Sequence, residues 1–217
     1  MMSKESYKMD MCNGPVLQKV IAFSLPLMLS SCLQLLFNAA DVIVVGRFAG
    51  STSLAAVGST TELLSLLTTL FIGFSIGANV NVARTLGNQD DQGTKDGIHT
   101  AVSVSILSGS AMILLGFLFG RPMLQWMGTP ADVIDKASLY LMIIFIGMPS
   151  NMAYNFGSAI LRAMGDTKRP LYFLSAAGVL NVVLNLIFVI VLHMDVAGVA
   201  LATILSETLS AVLILNC

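Results

Sequence analysis

The chain has 217 residues, of which 56% are hydrophobic and 11% are charged, and its mean hydropathy is +0.85. A soluble domain of this size could not cover that much apolar surface, so the composition predicts an integral membrane protein. The formal net charge is −1, with no cluster of basic residues. This excludes nucleic acid as a partner, because phosphate backbones are bound by clustered Lys and Arg.

Six apolar stretches are each long enough to cross a bilayer, which takes about 20 helical residues. Short polar connections, rich in glycine, proline and charged residues, separate them. The sequence therefore predicts an all-α fold, a six-transmembrane-helix bundle that forms a single unit over residues 1–217. The predicted spans are 17–46, 53–82, 97–120, 137–160, 171–192 and 196–217.

The basic residues are distributed unequally between the two sides of this bundle. Eight lie on the side of the N-terminus and three on the other. Short cytoplasmic loops are enriched in Lys and Arg, so we expect a protein of the plasma membrane with its N-terminus in the cytoplasm. The eight are Lys4, Lys8, Lys19, Arg84, Lys95, Arg162, Lys168 and Arg169; the three are Arg47, Arg121 and Lys136.

The first span contains an aspartate, Asp41, within an otherwise apolar run. At 100° per residue, Ser30, Gln34, Asn38 and Asp41 fall on one face of the helix. A charge at membrane depth costs about 3 to about 10 kcal/mol if lipid surrounds it, so such residues face a bundle interior or a water-filled path. Asp41 is therefore a functional candidate. The alternatives are a structural hydrogen bond or a side chain that reaches the membrane surface.

Four further spans carry polar residues on one face, which favours a shared polar interior. In span 4 the polar stripe runs from Asn151 to Arg162, and in span 5 Asn181 and Asn185 lie one turn apart. Any single Ser, Thr or Asn could serve helix packing, whereas the intramembrane acids are better functional candidates. The residues predicted to line a substrate cavity are Gln34, Asn38, Glu62, Asn151, Asn155 and Glu207.

One string in span 2 is typical of a hydrolase. Residues 73–77, GFSIG, match the GxSxG nucleophile pattern around Ser75, which leaves an intramembrane serine protease as an alternative. A nucleophile elbow needs a strand, a sharp turn and a helix, whereas this string lies within an apolar helix. The sequence has neither HExxH nor a phosphate-binding loop, and its three cysteines have no pairing pattern. We therefore expect no enzyme and no cofactor, only transport driven by a gradient.

Five stretches together resemble the N-terminal half of MATE (multidrug and toxic compound extrusion) transporters. The strings RAMGDTKRP and AGVALAT are the more specific ones, and the similarity runs from about Pro15 to the end of the chain. The resemblance implies one lobe of a twelve-helix antiporter that exports drugs and organic cations in exchange for sodium or protons. The five stretches are 26–41, 54–91, 159–171, 178–190 and 195–207.

By position, the resemblance also implies an ion-coupling site. Asp41 matches the aspartate of the first helix, Asn181 and Asn185 match a pair on the fifth, and Thr203 matches a threonine on the sixth. Asn185 stands where some members carry aspartate, which leaves sodium and proton both open. Since only one lobe is encoded, we expect a half-length fragment that needs a C-terminal lobe or a second copy as partner. A lipid-linked sugar flippase of the same superfamily is the other alternative.

Overall fold

The structure, a computed structural model, describes residues 16–217, and in this range it contains six long α-helices and no strand. The all-α, six-helix prediction is confirmed. Lys4, Lys8 and Cys12 lie outside the described residues. The helices are α1 (Val16–Phe48), α2 (Ser51–Gly87), α3 (Asp91–Trp126), α4 (Ile134–Ala163), α5 (Lys168–Asn185) and α6 (Asp195–Leu215).

Most of the helices are longer than the spans predicted from hydropathy. Between α2 and α3 only residues 88–90 are non-helical, and the carboxylate of Asp90 accepts a hydrogen bond from the N–H of Gly93 at 2.9 Å. This is an N-cap, which stabilises the first turn of a helix. A span predicted from hydropathy ends where charged residues begin. Because Lys, Arg, Glu and Gln are good helix formers, the helix itself continues beyond the apolar region.

The length and apolar character of all six helices fit a bilayer. Their most apolar segments have mean hydropathies between 1.3 and 2.4, and the shortest of the six candidate spans, Asp195–Leu215, has 21 residues. A helix of about 20 residues spans the hydrocarbon core. With its six spans the chain is a multi-pass membrane protein.

The core of the bundle lies around α4. Half of the most apolar stretch of α4 is buried, compared with 6% of that of α1. Glycines on α3 allow α3 and α4 to approach closely. A Cβ on Gly116 would collide with Phe145 of α4, and one on Gly109 would lie 2.6 Å from the Cα of Pro149. Small residues at such positions are what allows membrane helices to approach closely. α1 packs instead on α5, where Phe37 fills the space over Gly178.

The fifth span is not a uniform α-helix. It changes to a π-helical segment, Leu186–Val191, directly after Asn185. Segments of π-helix are rare and occur frequently at functional sites. Beyond it the chain turns sharply, with φ of +51° at His193 and +54° at Asp195, the first residue of α6.

Polar contacts tie the helix ends together in two groups. At one end, Lys136 at the start of α4 donates to Ser53 of α2 at 2.8 Å and to Asp195 of α6 at 2.6 Å. At the opposite end, Arg169 at the start of α5 pairs with Asp166 and donates to the Sγ of Cys217 at 2.8 Å. The connections therefore alternate between the two ends, as six consecutive crossings require.

Candidate functional site

The four residues predicted as a coupling site converge between α1, α5 and α6. The Nδ2 of Asn185 donates to the Asp41 carboxylate and also lies 3.2 Å from the Oδ1 of Asn181. The Nδ2 of Asn181 lies 3.4 Å from the Oγ1 of Thr203, whose hydroxyl donates to the carbonyl of Val199. We call Asp41, Asn181, Asn185 and Thr203 the Asp41 network.

Local sequence explains why these side chains meet. Asn181 and Asn185 are one turn apart on α5, so both point to the same side of the helix. One turn before Asn181, Gly178 leaves room for Phe37 of α1, which brings Asp41 close to α5. Asn181 and Asn185 are only 6% and 1% exposed, so the amides are buried in the lobe.

The network has oxygen atoms to spare and no positive charge. Within residues 16–217, Asp41 makes no salt bridge, and the Oδ1 of Asn185 is buried without a hydrogen-bond partner. The same residues contain no group of three or more His, Cys, Asp or Glu that could hold a metal ion. One carboxylate with neutral oxygens suits a hard monovalent cation, or a proton on Asp41.

A second polar cluster connects α4 and α6. The Nδ2 of Asn151 donates to the Oε1 of Glu207 at 2.8 Å, and the Nδ2 of Asn155 donates to the Oδ1 of Asn151 at 2.9 Å. Glu207 is one turn beyond Thr203 on α6, so this cluster continues the Asp41 network along the helix. Three of the residues predicted to line a cavity are therefore hydrogen-bonded together.

The lobe contains a cavity of about 490 Å³ between α1, α2, α4 and α5. Gln34 and Asn155 lie in its wall, and Arg162 does too. Pockets for small molecules typically measure 300–1,000 Å³. Asn38 and Glu62, in contrast, are exposed on α1 and α2 and do not line it. In this lobe the α2 stripe is exposed, because α1 and α2 leave much of their surface uncovered, so its place in a shared polar interior stays a prediction.

The sequence is similar to known proteins over most of its length. A family model described as MatE matches residues 26–187, most of the chain. The chain belongs to the MatE family. It is 34% identical over 202 residues to "Probable multidrug resistance protein YpnP" of Bacillus subtilis, covering 91% of this chain and 44% of that protein. It is 24% identical over 198 residues to "Multidrug export protein MepA" of Staphylococcus aureus, again covering 91% and 44%.

Solved structures agree with the family and the fold. "Crystal structure of MATE in the bent conformation" superposes with a TM-score of 0.87 at 28% identity, over 93% of this chain and 45% of that one. The MatE chain described here therefore spans less than half the length of the relatives that it matches. The predicted resemblance to one lobe of a MATE transporter is confirmed, and the family is one of transporters rather than enzymes.

The hydrolase-like string of this MatE chain does not form a nucleophile elbow. Residues 73–77 lie within α2, which continues from Ser51 to Gly87. The Ser75 hydroxyl donates to the carbonyl of Ile72 at 2.8 Å, a bond within its own helix. Because the elbow needs a strand-to-helix turn, the geometry gives no support to a serine protease.

Two polar residues of the site were not singled out from the sequence. Tyr140 of α4 is buried and lies within electrostatic range of both Asp41 and Glu207. Asn79 of α2 lies in the cavity wall and donates to the carbonyl of Ala159 at 2.7 Å. The only signal for either is a lone polar side chain in an apolar span, which does not distinguish a site from a packing contact.

Proposed function

We propose that the chain is one lobe of a cation-coupled antiporter that exports small cationic or amphipathic molecules, drugs included, from the cell. The observation that carries this proposal is the Asp41 network, in which the only charge is negative and lies between three helices. A carboxylate inside a membrane bundle with no basic partner needs a cation, and it costs several kcal/mol without one. The names of the relatives support export of drugs.

Coupling requires that ion and substrate favour different conformations, since a ligand shifts an equilibrium only by its differential affinity for the two states. Asp41 of α1 is hydrogen-bonded to Asn185 of α5, and Asn181 of α5 contacts Thr203 of α6. A cation bound there would hold the three helices in one arrangement. Glu207, one turn away, offers a second carboxylate for the positive charge of a substrate, held by Asn151.

The coupling ion is sodium or a proton. The amide oxygens of Asn181 and Asn185 and the hydroxyl of Thr203 are neutral ligands that suit sodium. Asp41 alone suffices for a proton. The buried Oδ1 of Asn185, which lacks a hydrogen-bond partner among the described residues, could serve as a ligand for sodium, whereas a proton on Asp41 does not need it.

We infer that transport needs a second lobe. Alternating access in repeat-built transporters rocks one bundle against another around a central site. The matched region is 44% of the YpnP chain and 45% of a MATE crystal structure. The exposed faces of α1 and α2, which carry Asn38 and Glu62, are the surfaces that such a lobe or a second copy would cover.

The test is ethidium efflux by cells that express the complete transporter. Asp41→Asn should abolish gradient-driven efflux and leave the amount of membrane-inserted protein near normal, because it removes the charge and keeps the shape. Asp132→Asn, in the exposed connection before α4, is the matched control and should export like wild type. Wild-type efflux by Asp41→Asn would make the aspartate a structural residue only.

We further propose that the protein lies in the plasma membrane, which the export named for a relative supports, and that its N-terminus lies in the cytoplasm, which the distribution of Lys and Arg supports. Lys136 and Asp195 mark the outer end, and Asp90 lies in the α2–α3 connection at the inner end. A reporter enzyme that works only outside the cytoplasm should be active when fused after Asp195 and silent after Asp90. The opposite pattern would reverse the orientation.

A further inference from the structure

The cavity between α1, α2, α4 and α5 has an electrostatic character opposite to that of the Asp41 network. Among the described residues that line it, Arg162 alone is charged. Arg162 is partly buried, and within residues 16–217 no hydrogen bond or salt bridge joins its guanidinium group to another residue. An arginine carries five N–H donors and stays protonated.

The acid nearest in sequence does not neutralise Arg162. Asp166, one turn further along, is fully buried and accepts hydrogen bonds from the backbone N–H groups of Lys168 and Arg169, each at 3.1 Å. Its other oxygen pairs with the Arg169 side chain. The carboxylate of Asp166 is thus already satisfied by Arg169 and by the start of α5.

The same face of α4 presents further polar groups to the cavity. Tyr154, Ser158 and Arg162 are spaced one turn apart and all three line it. The Tyr154 hydroxyl donates to the carbonyl of Pro170 at 3.1 Å. The Ser158 hydroxyl is buried beside Tyr154 and makes no hydrogen bond of ordinary geometry within the described part of the chain.

The opposite walls are partly polar and partly apolar. Gln34 of α1 lies in the wall, and Leu27, Ile72 and Leu174 supply apolar surface. The volume of about 490 Å³ fits a molecule with one or two rings or a lipid headgroup with part of its chains. The cavity is thus amphipathic, with one positive charge at one position.

We propose that this cavity binds an amphiphile through a single phosphate or carboxylate group, which pairs with the Arg162 guanidinium while the apolar part lies against Leu27, Ile72 and Leu174. Arginine matches planar or tetrahedral oxyanions through paired N–H donors. The Ser158 hydroxyl, on the same face of α4, and the Gln34 amide, on the opposite wall, are further donors. This inference goes beyond the ion coupling proposed above and does not depend on it.

The probe is 2-naphthyl phosphate, a rigid aromatic ring system with one phosphate. Its dissociation constant is measured by equilibrium dialysis against the full chain in nanodiscs of phosphatidylcholine, without any ion gradient. We expect saturable binding by the wild type and a dissociation constant raised at least about tenfold in Arg162→Gln, the loss expected for a hydrogen-bonded charge pair. 1-Naphthylmethylammonium, of opposite charge, should bind at least about tenfold more weakly than the phosphate.

Two further variants separate the cavity from general electrostatics and from misfolding. Lys168→Gln removes one positive charge from an exposed side chain at the same end of the bundle and should leave the dissociation constant unchanged. Ile76→Trp enlarges a side chain that lines the cavity and is 60% exposed, so the fold should tolerate it. It should weaken binding without changing any charge.

A lipid arm distinguishes the two sources of the anionic group. If the natural ligand is a lipid headgroup, phosphatidic acid in the nanodisc should displace 2-naphthyl phosphate and co-purify with the wild type but not with Arg162→Gln. If it is a soluble amphiphile, phosphatidic acid should not compete. Equal dissociation constants for wild type and Arg162→Gln, or an equal loss in Lys168→Gln, would overturn the proposal.

Discussion

Asp41 and Asp166 are two carboxylates that helix packing places among polar partners, and their partners differ in charge. Asp166 lies in the connection between α4 and α5 and accepts from two backbone N–H groups and from Arg169. Asp41 lies in α1 and accepts from the neutral amide of Asn185. The first carboxylate has its countercharge within the described chain and the second does not.

This difference separates structural from functional charges. A buried charge that is paired and hydrogen-bonded needs nothing more, whereas an unpaired one is stable only with a ligand of opposite sign. The arginines repeat the contrast: Arg169 pairs with Asp166, and Arg162 faces a cavity with no acid among its described lining residues. Among the described residues, the lobe thus carries negative positions without a countercharge at Asp41 and Glu207, and a positive one at Arg162 in a different part of the bundle.

The largest expected effect is on folding. Asp166→Ala should lower the free energy of unfolding by about 3–5 kcal/mol, because it removes the carboxylate that pairs with the half-buried Arg169 and accepts from two backbone N–H groups. The measurement is unfolding in mixed micelles, followed by circular dichroism. Asp90→Ala is the control, since Asp90 caps α3 through one hydrogen bond at an exposed position and its loss should cost about 1 kcal/mol.

Asp41→Asn should be measured by the same unfolding experiment as Asp166→Ala, because Asp41 is the carboxylate with the proposed functional role. It should leave the free energy of unfolding within about 1 kcal/mol of wild type, since no charged partner is lost. If Asp41→Asn destabilised the lobe as much as Asp166→Ala, the two carboxylates would both be structural and the contrast would fail.

A smaller effect is expected from adding charge to the network. Asn185→Asp places a second carboxylate beside Asp41, so a bound cation gains attraction and efflux should reach half-maximal rate at a lower sodium concentration or at a higher pH. We expect a shift of about tenfold, or about 1.4 kcal/mol. Asn88→Asp adds the same charge in the exposed connection between α2 and α3, far from the network, and should leave the dependence unchanged.

The sequence was sufficient for the number of helices, their order and the membrane class, because hydropathy and helix length depend on local composition. It was insufficient for their ends. The sequence predicts a polar loop over residues 83–96 between α2 and α3, yet Asp90 caps α3 and only residues 88–90 are non-helical. The π-helical segment after Asn185 also has no local sequence signal, since Leu186–Val191 is an ordinary apolar run.

The Asp41 network could be predicted because each member is a polar residue in an apolar span and the family resemblance supplied the pairing. The cavity could not be predicted in full. Helix periodicity gives the face of Asn38 and Glu62 but not whether another helix covers that face, and in this lobe none does. Helix periodicity places Arg162 on a polar stripe. It lacks an acidic partner within residues 16–217 because the nearby Asp166 pairs with Arg169 instead, and that pairing is determined by the fold.

The most direct test of the central proposal is infrared difference spectroscopy of the complete transporter in lipid, recorded between low and high sodium and between low and high pH. The account predicts a carboxylate band that changes when the coupling ion binds and that is absent in Asp41→Asn. The same band should persist in Lys168→Gln, which lies outside the network. An unchanged difference spectrum in Asp41→Asn would show that the coupling ion binds elsewhere and would contradict the account.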